Sequence, residues 1–245
     1  MIYEICVDSI AGVRAAREAG AHRAELCANL LEGGTTPSRG MIREARKVEG
    51  IGLQVIIRPR GGDFLFDDDE LAVMQADIDT ARAEGADGVV IGILTADGIV
   101  DADRTRELIA RARPLSVTFH RAFDMTRDPF EALETLIGLG VDRVLTSGQE
   151  PSVLEGLPLI IELIRRAGER IIIMPGGGIN ARNAVRIIAE AKPREIHFAG
   201  REAVAGGMKF RRHHVYMGGE LRAPEYDRFV TSAAIIRAVM GKEPG

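Results

Sequence analysis

Tryptophan is absent from the chain, and aromatic residues make up only 4% of it. Few flat rings are left on which bases or sugars could stack, which argues against a stacking platform as its main business. Cysteine is as scarce: Cys6 and Cys27 are the only two, too few to staple a secreted disulfide fold. There is no excess of positive charge, since 32 Lys and Arg face 36 Asp and Glu for a formal net charge of -4. That excludes a global basic field able to hold nucleic acid or an anionic membrane. The first residues, Met1-Ile2-Tyr3-Glu4, lack the basic and long apolar regions of a signal peptide. No uncharged apolar run approaches the roughly 18 residues that a membrane span needs. The expectation is a cytoplasmic globular protein without nucleic-acid or membrane partners.

What is present is 245 residues that are 46% hydrophobic, ample for a core and too apolar for a disordered chain. Eight short apolar runs read as strands: Ile2–Val7, Arg23–Leu26, Leu53–Ile57, Gly88–Ile91, Leu115–Phe119, Arg143–Leu145, Ile171–Met174 and Glu195–Phe198. Between them apolar residues recur three and four apart, as in Met41, Ile42, Ala45 and Val48, or Phe130, Leu133, Leu136 and Ile137. Ser38, Asp128-Pro129 and Asn180 supply helix starts. A weak repeat supports the alternation, because the segments from Glu18, Ala83 and Gly138 share a helix-ending glycine, a short turn and a strand. Eight units averaging about 31 residues suit an α/β fold, a single-domain (β/α)8 TIM barrel spanning 1–245. A doubly wound open sheet is the alternative, but Val7-Asp8-Ser9-Ile10-Ala11-Gly12 is not its G-x-G-x-x-G fingerprint.

Barrel sites lie at the C-terminal strand ends, and side chains alternate along a strand. In the first strand Ile5 and Val7 should face the helices, which turns Glu4, Cys6 and Asp8 inward; the same parity turns Glu25, Cys27 and Asn29 inward. Acids inside a barrel need partners, and Arg58 is the expected partner for Glu4 and Glu25. His120, Arg121 and Asp124 follow the fifth strand; the histidine titrates near neutral pH and its ring also binds metals. Gly176, Gly177 and Gly178 after strand seven, with Gly200 after strand eight, suit a bound anion, since glycines admit close approach of backbone N–H groups.

Two cysteines at matching positions on neighbouring strands suit soft Cu(I) where their sulfurs converge. His120, or Met208 and Met217, would supply a further ligand. Zinc is disfavoured, as neither a C-x-x-C nor an H-E-x-x-H spacing occurs. From about Arg201 to Pro224 the pattern lapses into an irregular, glycine-rich loop carrying Lys209, Arg211, Arg212, His213 and His214. On an acidic protein this basic run is a poor nucleic-acid site, and it reads as a lid or a subunit contact.

The blocks Glu4–Ser9, Arg23–Ser38, Ile57–Phe64, Phe119–Asp124, Leu145–Gly148, Met174–Ile179 and Glu195–Phe198 resemble, in order, the copper homeostasis protein CutC family. The resemblance runs to about Arg201. It implies a cytosolic (β/α)8 barrel, often a homo-oligomer, with a role in copper homeostasis through Cu(I) held by Cys6 and Cys27. The alternative function is a barrel enzyme, an isomerase or lyase acting on a small anionic or phosphorylated ligand. There Glu4 or Glu25 would be the base, His120 the acid or electrophile, Arg58 and Arg121 the anion clamps, and Gly176–Gly178 with Gly200 the phosphate loop.

Overall fold

The computed structural model describes residues 1–212, 214 and 227–242. Eight strands, β1 (Ile2–Val7), β2 (Arg23–Leu26), β3 (Gly52–Ile56), β4 (Gly88–Ile91), β5 (Ser116–Phe119), β6 (Arg143–Thr146), β7 (Ile172–Pro175) and β8 (Glu195–Phe198), match the apolar runs to within a residue. They pair in parallel in the order β7-β6-β5-β4-β3-β2-β1-β8, and a parallel bridge between Gly176 and His197 closes the ring. The helices outside it are α1 (Ile10–Glu18), α2 (Arg39–Arg46), α3 (Asp68–Ala83), α4 (Ala102–Ala112), α5 (Pro129–Leu139), α6 (Leu157–Ala167), α7 (Ala184–Ala191) and α8 (Ala233–Val239). This is a (β/α)8 barrel, not an open sheet.

Local chemistry sets the helix starts. Ser9, Ser38 and Asp128 accept from the otherwise unpaired amides of Gly12, Met41 and Phe130, and Asp67 and Glu70 form a reciprocal capping box at α3. Each cap contributes about 1 kcal/mol. Asn180, expected to open a helix, does not. Its amide donates to Asn183 Oδ1 at 2.8 Å, so Asn180–Asn183 is a turn that leads the chain out of the glycine loop, and α7 begins beyond it.

Strand parity divides the core in two. Ile5, Val7, Ala24, Leu26, Val89 and Val117 are completely buried in the apolar cluster between sheet and helices. Inside the ring the lower layer is polar. Arg23 Nε donates to Glu4 at 2.8 Å, its Nη2 to Glu195, and Arg143 Nε reaches Glu195 at 3.1 Å and Thr118 through Nη1 at 3.1 Å. Gly88 is needed there, since a Cβ would collide with the Gln54 and Ser116 side chains that hydrogen-bond at 3.1 Å. Breaking one member of such a buried ion network costs about 3–5 kcal/mol.

The stretch expected to be an irregular loop from Arg201 begins instead with a strand. β9 (Arg201–Ala205) pairs antiparallel with β10 (Asp227–Thr231), with Ala205 opposite Asp227. A pairing across more than 20 residues leaves little local periodicity, and β9 is half exposed along its length. Lys209, Arg211 and Arg212 sit in exposed irregular chain; His213 and Met217 lie outside the described residues.

Candidate metal centre

Cys6 lies one residue from the end of β1, and Cys27 one residue beyond β2. The parallel register sets Val7 against Leu26, and the Cys27 amide donates to the Val7 carbonyl at 2.9 Å. That stagger brings Sγ of Cys6 to 3.8 Å from Sγ of Cys27. Glu25 Oε2 stands 3.5 Å from the Cys27 sulfur. One atom from each of Cys6, Glu25 and Cys27 falls within a mutual 4.8 Å. His120, considered as a further ligand, does not belong to this group, and Met208, the other described candidate, is 65% exposed. Cys27, Ile56 and Val90 form a small buried apolar cluster with Cys6 and Leu30 against it, so the sulfurs sit in soft surroundings.

A histidine absent from the expected site organises this group. His197 of β8 places Nδ1 2.9 Å from Glu4 and Nε2 3.6 Å from Glu25, and it acts electrostatically on Cys6. Burial opposes its protonation, but Cys6, Glu4 and Glu25 together raise its pKa well above the usual value. Burial alone would raise Glu4; the His197 bond and charge, with Arg23, hold it at about 2. The hydrogen bond between Cys27 and Cys6 is the largest cause, and despite burial it and His197 bring Cys6 down to about 5. Cys27 is pushed well above its ordinary value, first by that same bond to Cys6 and then by burial. Burial lifts Glu25 to about 8, against the pull of His197. These shifts favour anionic Glu4 and Cys6 beside a cationic His197, with protons held on Glu25 and Cys27.

The Glu–Arg pairing therefore differs from expectation. Glu4 pairs with Arg23, its register neighbour, and with His197, while Glu25 meets Cys27 and His197. Arg58 lies four residues beyond Gln54, the register partner of Glu25, and so on the order of 13 Å further along the chain. Its guanidinium instead donates to the carbonyls of Glu32, Gly34 and Gly62 at 2.7–2.9 Å, pinning the loops after β2 and β3.

Above the sulfurs opens a cavity of about 570 Å³, reached by Cys6, Glu25 and His197 from below and by Arg58, His120 and Arg121 from the sides. Asp124 lines it as well, but its carboxylate is committed: it accepts from Arg121 Nε at 2.8 Å, from the Ser147 amide and hydroxyl, and from Thr146 and the Gln149 amide. It ties the loop after β5 to the end of β6 and leaves the capping of α5 to Asp128. Gly176, Gly177 and Gly178 line the opposite wall, the last two at φ 130° and 72°. Gly200 is outside the lining. A Cβ there would stand 2.5 Å from Ile236 Cγ1, so this glycine serves the docking of α8.

His197 and Glu195 were readable by the parity that placed Glu4, since Ile196 between them is fully buried toward the helices. Arg23 gave a weaker signal, sharing the inward parity of Glu25 at the start of a four-residue strand.

The fold is a closed parallel barrel, and at its C-terminal mouth two thiols and a carboxyl, with a buried histidine beside them, form a group that could hold a metal ion. The model of the CutC family matches residues 1–202, and the chain belongs to that family. It is 50% identical over 238 residues to the copper homeostasis protein cutC homologs of Mus musculus and Homo sapiens, covering 97% of this chain and 88% and 87% of theirs. A CutC family protein of Bacteroides fragilis is 48% identical over 237 residues, 96% of this chain and 94% of that protein. The crystal structure of CutC from Streptococcus agalactiae superposes with a TM-score of 0.77 at 36% identity, over 81% of this chain and 98% of that one. A phosphoribosylanthranilate isomerase from Pyrococcus furiosus shares the fold alone, at TM-score 0.58 and 13% identity over 98% of this chain and 97% of that one. Among the described residues no helix is long and apolar enough to cross a membrane.

Proposed function

We propose that the chain binds Cu(I) as cargo between Cys6 and Cys27 and takes part in copper homeostasis, the role named for its relatives. The observation that carries this is the approach of two thiols to 3.8 Å, with Cys6 at the floor of an open cavity and Cys27 buried behind it. Metal–thiolate bonds of about 2.3 Å across that gap give an S–metal–S angle of about 110°. The angle is bent and leaves room for a third donor, and Glu25 is the group at hand. Two thiolates in apolar surroundings favour a soft monovalent ion over hard cations that need oxygen ligands. Cys27 keeps its proton until metal arrives, so binding releases it. Thiols kept reduced imply a reducing compartment, consistent with the cytoplasm.

The enzyme alternative draws less support. Glu4, one of its two bases, is fully buried beneath the cavity and doubly paired, and Gly200 is absent from the anion wall. The copper reading is tested by anaerobic Cu(I) titration against a chromogenic chelator. One ion per chain with tight affinity is expected, lost in the Cys6→Ser/Cys27→Ser protein. Undiminished binding by that double variant refutes it.

A further inference from the structure

Two buried donors at the cavity are left over by everything above. Arg58 is 5% exposed, yet no carboxylate comes within 4 Å of its guanidinium among the described residues. Its terminal nitrogens meet only backbone carbonyls, and Nε is buried with no partner. Glu32 is the acid whose charge reaches it, and Arg60 opposes that effect. An ionised group this deep ordinarily has an opposite charge beside it, because the desolvation cost is several kcal/mol. His120 is 4% exposed, and its Nδ1 accepts from the Ala122 amide at 3.1 Å. That bond assigns the ring proton to Nε2, where a buried N–H donor again has no partner. Burial, then the charge of Arg58, hold the ring neutral by lowering its pKa to about 3, so the donor persists across the working pH range.

The two groups are held together. Arg58 Cζ lies 5.0 Å from the centroid of the Phe64 ring, and the His120 ring centre is 5.1 Å from the same ring. Gly92 makes the space for His120, since a Cβ there would collide with the imidazole. All of Arg58, Phe64 and His120 line the cavity, whose other walls include Ile56, Leu145 and Phe198. A volume of about 570 Å³ is in the range of small-molecule sites, mostly apolar with a few converging polar groups.

We propose that this cavity binds a small organic oxyanion, a carboxylate or a phosphate monoester, whose charge compensates Arg58 and one of whose oxygens accepts from His120 Nε2–H. The body of the ligand lies against Ile56, Phe64, Leu145 and Phe198. Cys6 lies at the floor of the same cavity, but the anion's contacts are to Arg58 and His120 and to neither sulfur, so its binding does not depend on the copper reading.

The test is calorimetric titration of the copper-free full chain with benzoate and with 2-phosphoglycolate, using benzamide as the neutral control. Because copper is absent, failure of the metal reading leaves this result intact. Saturable 1:1 binding of either anion is expected, with benzamide at least tenfold weaker; which anion binds identifies the headgroup. A hydrogen bond to a charged ligand is lost in His120→Phe, which should weaken binding about tenfold or more. Absence of binding by both anions, equal binding of benzamide, or an unchanged affinity in His120→Phe overturns the proposal. If that variant fails to fold, the Arg58 Nε–H resonance of the unmodified protein decides: it shifts on anion titration, and a static signal overturns the site.

Discussion

Replacing Cys27 with alanine should convert Cys6 from an acidic thiol into an ordinary one. The shift that brings Cys6 from 9.0 to about 5 has the Cys27 S–H bond as its largest cause, with His197 assisting against burial. At pH 6 a thiol with that acidity is about nine-tenths ionised, whereas one titrating at the ordinary value is about one-thousandth ionised. Iodoacetamide reports the difference, since the thiolate is the reactive form. Cys6 is half-buried and opens on the cavity, while Cys27 is 1% exposed, so the first carbamidomethyl group should map to Cys6 by peptide mass spectrometry. The rate should level off above about pH 6 in the unmodified protein. In Cys27→Ala the midpoint should move back toward 9.0, and in His197→Asn part of the way. A midpoint near 9 in the unmodified chain, or a Cys27→Ala profile that superposes on it, would show that the two sulfurs do not share a proton and would refute the reasoning.

Three further outcomes follow from the same packing. Glu195→Gln strips Arg23 and Arg143 of their shared carboxylate inside the ring, and urea denaturation should show a loss of about 3–5 kcal/mol; a loss under 1 kcal/mol contradicts the ion network. Gly200→Ala forces a methyl to 2.5 Å from Ile236 and should cost about 1–3 kcal/mol by thermal melting, without changing copper stoichiometry. His120 stays neutral in the fold down to about pH 3 but titrates at 6.5 when unfolded, so its contribution is present above 6.5 and is lost as pH falls toward 3. His120→Phe should therefore flatten the stability–pH slope in that window by up to one proton, about 1.4 kcal/mol per pH unit. Parallel slopes for the two proteins would place the imidazole in water.

The parts of this molecule that could be read from the sequence are those set by short-range alternation. Each strand buries one parity toward the helices, so Ile5 and Val7 betray the orientation of Glu4 and Cys6 without knowledge of any neighbour. β1 and β2 carry the same Glu-x-Cys parity, so both thiols turn inward; the register sets Cys6 opposite Glu25, two residues short of Cys27, and the sulfurs still meet. The parts that resisted are those made by closure. Chain order separates β8 from β1 by nearly the whole protein; only the ring sets Glu4 opposite His197 in register, and with it the imidazole that charges Cys6. The misassigned partner of Glu4 is the same error at shorter range. Parity tells that Arg58 and Glu4 lie at strand positions open to the interior, but not their heights, and height made Arg23 the partner and left Arg58 among carbonyls at the mouth. β9 carries little periodicity of its own, since it is largely exposed and its partner β10 lies more than 20 residues further along the chain. A thiol pair in a barrel is thus legible as a pair, while its reactivity depends on a strand that arrives last and closes the circle.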